Sequence, residues 1–277
     1  MMAQAATFPL DEFLRTDRLA HVWCPGCGLG IILNSLARAL EEAEVNMDEV
    51  AMVSGIGCAG RAAGYVTCDS FHATHGRAIP FAIGLKAANP RLKVIVFSGD
   101  GDLFAIGGNH FLHAAARNAE LLVICANNFH YAMTGGQSGP TTPLGARTAD
   151  TPQGCDIEPL NLAALAAALG ATYVARWTVA YPRRLTNSIK KGLRKEGFAF
   201  IEVISPCPEL YGKMNRLGTA FEMLKRLISI SRIRHHILAA EATFDPDSRI
   251  ICGEFVDRER PGLIARLRDR VKRGERC

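Results

Sequence analysis

No stretch of the 277-residue sequence approaches the ~18 consecutive apolar residues of a membrane-spanning helix, which argues against an integral helical membrane protein. Its first residues, Met1 to Asp11, lack a basic segment followed by an apolar run, so no secretory leader is expected. Internal repeats and low-complexity linkers are missing, which excludes a solenoid or a string of small modules. Charge of one sign is not in large excess: the formal net charge is +5. Much of the basicity lies between Arg258 and Arg276, interleaved with Asp257, Glu259, Asp269 and Glu275. With Leu263, Ile264, Leu267 and Val271 at helical spacing, that segment reads as a solvated amphipathic helix that docks on this chain or a partner, not as a nucleic-acid-binding tail. Nine cysteines without an export signal point to thiols that are reduced or metal-bound, in a reducing, cytoplasmic setting.

What is present is the alternation of an α/β protein. Apolar, β-rich runs at Val50 to Ser54, Leu92 to Ser98, Leu121 to Ala126, Thr172 to Ala175 and Phe198 to Ser205 predict strands. Helical patterns fall at Gly30 to Glu44, Gly76 to Ala88, Leu103 to Asn118, Leu160 to Leu169 and Pro182 to Glu196. A mostly parallel sheet with helices on both faces and right-handed crossovers follows. The main domain is expected over residues 1–215, with a C-terminal extension over 216–277 holding a helix from Leu217 to Ala239, a last strand from Arg249 to Phe255 and the basic helix. Residues 127–159 are dense in Gly, Thr and Pro and too long for a passive connection, so they read as a binding loop.

The chemistry-bearing residues follow strand ends: Gly55 to Cys58, Asp100, Asn127 with Asn128, and Cys207. Ligands of open parallel sheets bind outside the carboxyl ends of the strands. Ser98-Gly99-Asp100-Gly101-Asp102 is a turn from a buried strand, but Gly-x-Gly-x-x-Gly is not satisfied and carboxylates occupy the phosphate side. A carboxylate about 4 Å from a phosphate is repelled by about 4 kcal/mol at an effective dielectric near 20, and a divalent cation removes that conflict. Magnesium takes oxygen ligands and is commonly held by one or two protein groups plus phosphates. Asp100 offers a carboxylate, Asn128 an amide oxygen and His130 a backbone oxygen. Taken singly, Asp100 reads equally as a helix cap and Asn127-Asn128 as a turn; taken together they favour the cation.

Cys24 and Cys27 form a Cys-x-x-Cys pair with glycines at 26 and 28 that permit a tight turn. No second pair exists, so the isolated Cys58 and Cys207 would have to complete a four-thiolate set. On spacing alone zinc and iron-sulfur fit equally, and a thioredoxin-like dithiol would leave Cys58 and Cys207 unexplained.

Gly99-Asp100-Gly101 followed by Asn127-Asn128 resembles the magnesium and thiamine diphosphate motif of thiamine enzymes. With Gly107-Gly108-Asn109-His110, Arg117-Asn118, the run from Tyr131 to Gln137 and the segment from Gly253 to Pro261, the chain resembles the β subunit of the 2-oxoacid:ferredoxin oxidoreductases over nearly its whole length. The resemblance implies a thiamine diphosphate-binding fold. Ile56, Gly57, Cys58 and Ala59 would line the cofactor, His75 would contact it, Gly101 and Asp102 would touch its diphosphate, and Ala132 and Met133 would lie against the thiazolium. It favours a 4Fe-4S cluster on Cys24, Cys27, Cys58 and Cys207. Cys68, Cys125, Cys155, Cys252 and Cys277 match no ligand and read as small core residues or unpaired surface thiols.

The activity implied is CoA-dependent oxidative decarboxylation of a 2-oxo acid, with electrons leaving through the cluster to ferredoxin. The glutamate that activates the cofactor is not assignable in this chain. It is expected from an α subunit, which implies a heteromer, with further ferredoxin-like subunits allowed. Met133-Thr134-Gly135-Gly136-Gln137 resembles subunits acting on 2-oxoglutarate, and less closely those acting on branched 2-oxo acids; pyruvate remains a further choice. Gly135 stands where some broad-specificity relatives carry lysine, which leaves the substrate's carboxylate partner unassigned in this chain. A non-oxidative thiamine decarboxylase or synthase would share Asp100 and Asn128 without using the cysteines. A non-catalytic iron-sulfur module would keep the cysteines without needing the cation site.

Overall fold

A computed structural model describes residues 9–245 and 248–274. Met1 to Phe8, Glu275, Arg276 and Cys277 lie outside the described residues. In chain order the elements are α1 (Leu29–Glu42), β1 (Val50–Ser54), β2 (Asp69–His72), α2 (Ala78–Ala88), β3 (Lys93–Gly99), α3 (Gly108–Arg117), β4 (Leu122–Asn127), β5 (His130–Tyr131), β6 (Gln137–Ser138), α4 (Leu162–Ala168), β7 (Tyr173–Thr178), α5 (Pro182–Arg194), β8 (Ala199–Ile204), α6 (Ala220–Ile230), β9 (Ser231–Ile233), β10 (Phe244–Asp245), β11 (Arg249–Asp257) and α7 (Leu263–Lys272).

Strands β1, β4, β7 and β8 are buried along their whole length, as expected of parallel strands covered on both faces. The main sheet runs β10-β11-β7-β8-β4-β3-β1-β2, with β9 added beside β11. Every pair from β2 across to β7 is parallel. β11 is antiparallel to β7 and to β10, so the sheet is mostly but not wholly parallel. Side chains alternate between two cores. Met52, Phe97, Ile124 and Ile201 pack with α1, α5 and α6 on one face. Val53, Val96, Val123 and Phe200 pack with α2, α3 and α4 on the other.

Two expectations need correction, and strand β2 was not anticipated. The helix anticipated from Leu217 to Ala239 is shorter: Thr219 and Glu222 form a capping box that starts α6, and the chain turns extended at Ser231. There β9, Ser231-Arg232-Ile233, pairs with Ile250 to Cys252, so backbone pairing with β11 overrides the helical continuation. The single helix anticipated from Leu103 to Asn118 begins instead as a wide π-helical turn, Gly101–Ile106, before α3. β2 escaped the sequence reading because all four of its residues are exposed at the sheet edge and leave no apolar signature.

Residues from 216 onward extend the same sheet through β9, β10 and β11. The basic helix α7 docks by its first turn: Ile264 is buried, and Glu120 accepts the backbone N–H groups of Ile264 and Ala265. Leu267 and Val271 stay exposed. Among the described residues no helix is long and apolar enough to cross a membrane.

Candidate active site

Parallel pairing brings the ends of β1, β3, β4 and β8 to one edge, and there a cavity of about 210 Å³ opens. Every residue anticipated from the sequence, from Cys24 and Cys27 through Ile56 to Ala59, His75, Asp100 to Asp102, Asn128, His130, Ala132 and Met133 to Cys207, lines this one cavity.

Asp100 is 2% exposed at the end of β3. It accepts the Thr141 hydroxyl at 2.5 Å, and burial pushes its pKa up to about 6, against the pull of Thr141 and of the Asn128 and Gly101 amides. No Lys or Arg pairs with it among the described residues, so Asp100 is a buried carboxylate held by hydrogen bonds alone. Asn127 is fully buried and turned inward: it donates to Glu202 Oε1 at 2.8 Å and accepts the Phe129 N–H at 3.1 Å. Glu202 in turn pairs with Arg176 at 2.7 Å, both side chains fully buried. This chain of polar contacts fixes the end of β4 and leaves Asn128 to face the cavity.

Asp102 is held differently. Its carboxylate accepts Ile56 N–H at 3.1 Å, Gly76 N–H at 2.8 Å, the Ser98 hydroxyl at 2.8 Å and His75 Nδ1 at 2.5 Å. It therefore ties the turns after β1 and β2 to the turn after β3 and orients the His75 ring. The approach is so close that a Cβ at Gly55 would stand 1.9 Å from Asp102 Oδ2, which only glycine avoids. His130 is 3% exposed, and neither ring nitrogen has a hydrogen-bond partner. Burial lowers its pKa to about 4, so the ring stays neutral near pH 7.

Cys24, Cys27, Cys58 and Cys207 line the same cavity, all as free thiols. Burial pushes Cys27 up to about 11, and Cys207, Cys58 and Cys24 each add to that rise. Cys58 and Cys207 are raised mainly by burial too. Four mutually opposed soft thiols suit a shared cationic metal centre, which favours their thiolate forms. Among the described residues no group of three His, Cys, Asp or Glu side chains is arranged to hold a single metal ion.

A family model, the C-terminal TPP-binding domain of thiamine pyrophosphate enzymes, matches residues 49–203. The 2-oxoglutarate synthase subunit KorB of Methanothermobacter marburgensis is 51% identical over 259 residues, covering 94% of this chain and 90% of the relative. That of Methanocaldococcus jannaschii is 47% identical, covering 96% and 98%. This chain is a β subunit of the 2-oxoacid:ferredoxin oxidoreductase family. Its structure also resembles that of 2-oxoglutarate:ferredoxin oxidoreductase from Magnetococcus marinus, solved with 2-oxoglutarate, coenzyme A and succinyl-CoA bound, with a TM-score of 0.85 and 30% identity over 99% of this chain and 94% of that one. As a β subunit of a multi-subunit enzyme, it works with an α partner.

The β subunit carries site residues that the sequence reading missed. Thr141 bridges Asp100 and Asn127, Ser98 holds Asp102, and the Trp23 Nε1–H donates to the Cys58 carbonyl at 2.7 Å. Glu209 lines the cavity beside Cys207 and pairs with Lys213. Arg61, three residues after Cys58, also lines the cavity and makes no ion pair among the described residues. Thr141 lay inside a loop already marked by its Gly, Thr and Pro content; nothing in its spacing set it apart. Cys68, Cys125, Cys155 and Cys252 are buried away from the cavity.

Proposed function

We propose that this β subunit, joined to its α subunit, oxidatively decarboxylates 2-oxoglutarate to succinyl-CoA and passes the electrons to ferredoxin. The observation that carries the reading is a single cavity lined both by Asp100 and Asn128 and by four cysteines. The names of the similar proteins support the substrate. Asp100, the Asn128 amide oxygen and the His130 carbonyl would hold magnesium on the diphosphate of thiamine diphosphate; Cys24, Cys27, Cys58 and Cys207 would hold a 4Fe-4S cluster. Thiamine diphosphate supplies carbanion chemistry when bound, and the cluster accepts single electrons.

The chain's own part is to bind and orient. The buried Asp100 carboxylate gains the counter-charge it lacks. Asp102 fixes the Ile56, His75 and Gly76 backbone and ring positions along the cofactor wall, while Ala132 and Met133 form the apolar side of the same cavity. Arg61 offers a cation to the second carboxylate, which 2-oxoglutarate carries and pyruvate and 2-oxoisovalerate lack. The activating glutamate belongs to the α subunit. The test is anaerobic co-expression with that subunit and CoA-dependent viologen reduction with 2-oxoglutarate, pyruvate and 2-oxoisovalerate. Preference for 2-oxoglutarate supports the reading, preference for another acid overturns the substrate, and failure with all three in a preparation loaded with iron, sulfide and thiamine diphosphate overturns the activity.

A further inference from the structure

Ser205 follows β8, two residues before Cys207, and its side chain is one of the few buried polar groups left without a partner among the described residues. The residue is 2% exposed, and its hydroxyl is buried without a hydrogen-bond partner. Its backbone N–H is spent on the Asn127 carbonyl at 2.8 Å, which fixes where the side chain starts. The hydroxyl reaches the turn that carries Cys27: a Cβ at Gly28 would stand 2.5 Å from Ser205 Oγ, so glycine there leaves the space the hydroxyl uses. Ser205 lines the same cavity as Cys24, Cys27, Cys58 and Cys207. A buried hydroxyl with no partner costs stability, a cost that a bound group accepting its proton removes.

The neighbouring sulfurs already have donors of another kind. Cys27 receives the Leu29 amide, and Cys207 the amides of Leu210, Tyr211 and Glu209 from the turn that follows it. Those backbone donors survive any side-chain substitution. The Ser205 hydroxyl is a side-chain donor, so a substitution can remove it without touching the backbone donors.

We infer that the Ser205 hydroxyl donates a hydrogen bond to the sulfur shell of the iron-sulfur cluster and thereby raises the potential at which this β subunit takes up an electron. The inference rests on the proposed cluster. Reduction adds negative charge to the sulfurs, so a donor aimed at them stabilises the reduced form more than the oxidised one. Ser205 is a positioning and tuning residue; it is not a ligand.

The test compares the anaerobically purified αβ complex with its Ser205→Ala and Ser205→Thr variants by redox titration followed by electron paramagnetic resonance, with iron and sulfide measured on each. Alanine should leave cluster content unchanged and make the midpoint potential more negative, so that the reduced-to-oxidised ratio at a fixed potential falls about fivefold, the weight of one net hydrogen bond. Threonine, which keeps the hydroxyl, should hold the midpoint nearer the wild-type value. Thermal unfolding of the metal-free complexes adds a readout that a structural role would move the other way: alanine should match or exceed the wild type, because it removes an unpartnered buried hydroxyl. An unchanged midpoint in a cluster-replete alanine variant overturns the inference, as does an alanine variant that unfolds or fails to assemble, since the hydroxyl would then be serving the fold. A wild-type complex without iron and sulfide would overturn the cluster reading itself.

Discussion

Replacing Asp100 by asparagine should stabilise the empty protein while abolishing its cation site. Burial raises the Asp100 pKa from 3.8 to about 6. An acid whose folded pKa lies above its unfolded one contributes stability that is complete below the unfolded value and is lost as pH rises through the folded value. The loss is about 2 pH units at roughly 1.4 kcal/mol each, or about 3 kcal/mol above pH 7. For a chain of 277 residues that corresponds to about 5 °C in Tm. Asparagine fits the existing bonds: its NH2 can donate to Thr141, whose hydroxyl proton then turns to Asn127 Oδ1 at 2.8 Å. The assay is thermal unfolding of the metal-free αβ complex at pH 7.5 and pH 5, with and without magnesium and thiamine diphosphate. D100N should melt higher than wild type at pH 7.5, keep about half of that advantage at pH 5, and gain nothing from magnesium and the cofactor. Wild type should be stabilised by them, and less so below pH 6, where a proton competes for the carboxylate. A D100N variant that melts lower than wild type would mean that the buried Asp100 charge does not destabilise the empty fold, and one that still responds to magnesium would mean that Asp100 is not the cation's ligand.

Cys24→Ala should cut bound iron and sulfide sharply in the purified complex while leaving magnesium-dependent thiamine diphosphate binding within a few-fold of wild type, read by metal analysis and calorimetry; parallel loss of both would show that the two ends of the cavity are not separable. Arg61→Met should reduce kcat/KM for 2-oxoglutarate by about 10- to 100-fold, the worth of a hydrogen bond to a charged group, and leave pyruvate or 2-oxoisovalerate turnover nearly unchanged; equal losses on every substrate would remove Arg61 from substrate recognition. Glu202→Leu leaves the fully buried Arg176 without its carboxylate and should destabilise the chain by about 3–5 kcal/mol in denaturant unfolding, whereas a loss under about 1 kcal/mol would mean that the Ala242 carbonyl and Asn161 Oδ1, which also accept from its guanidinium, suffice to hold it.

The alternation of strands and helices, and the place of each chemical group after a strand, were legible in the amino-acid order. In a parallel sheet that order alone puts Gly55, Asp100, Asn128 and Cys207 on one edge, so the site's existence and most of its lining were legible. Apolar runs in β1, β4, β7 and β8 are readable because both faces are buried. β2 and β9 were not, since short or exposed edge strands take their conformation from a neighbour's backbone. Which polar groups complete one another depends on how strands and crossovers pack. Asn127 meets Glu202 across 75 residues and Ile56 meets Asp102 across 46; Ser205 faces a turn near the start of the chain. Such partners are set by register and crossover geometry, and a hydroxyl's role depends on the few ångströms around it, which no local spacing encodes.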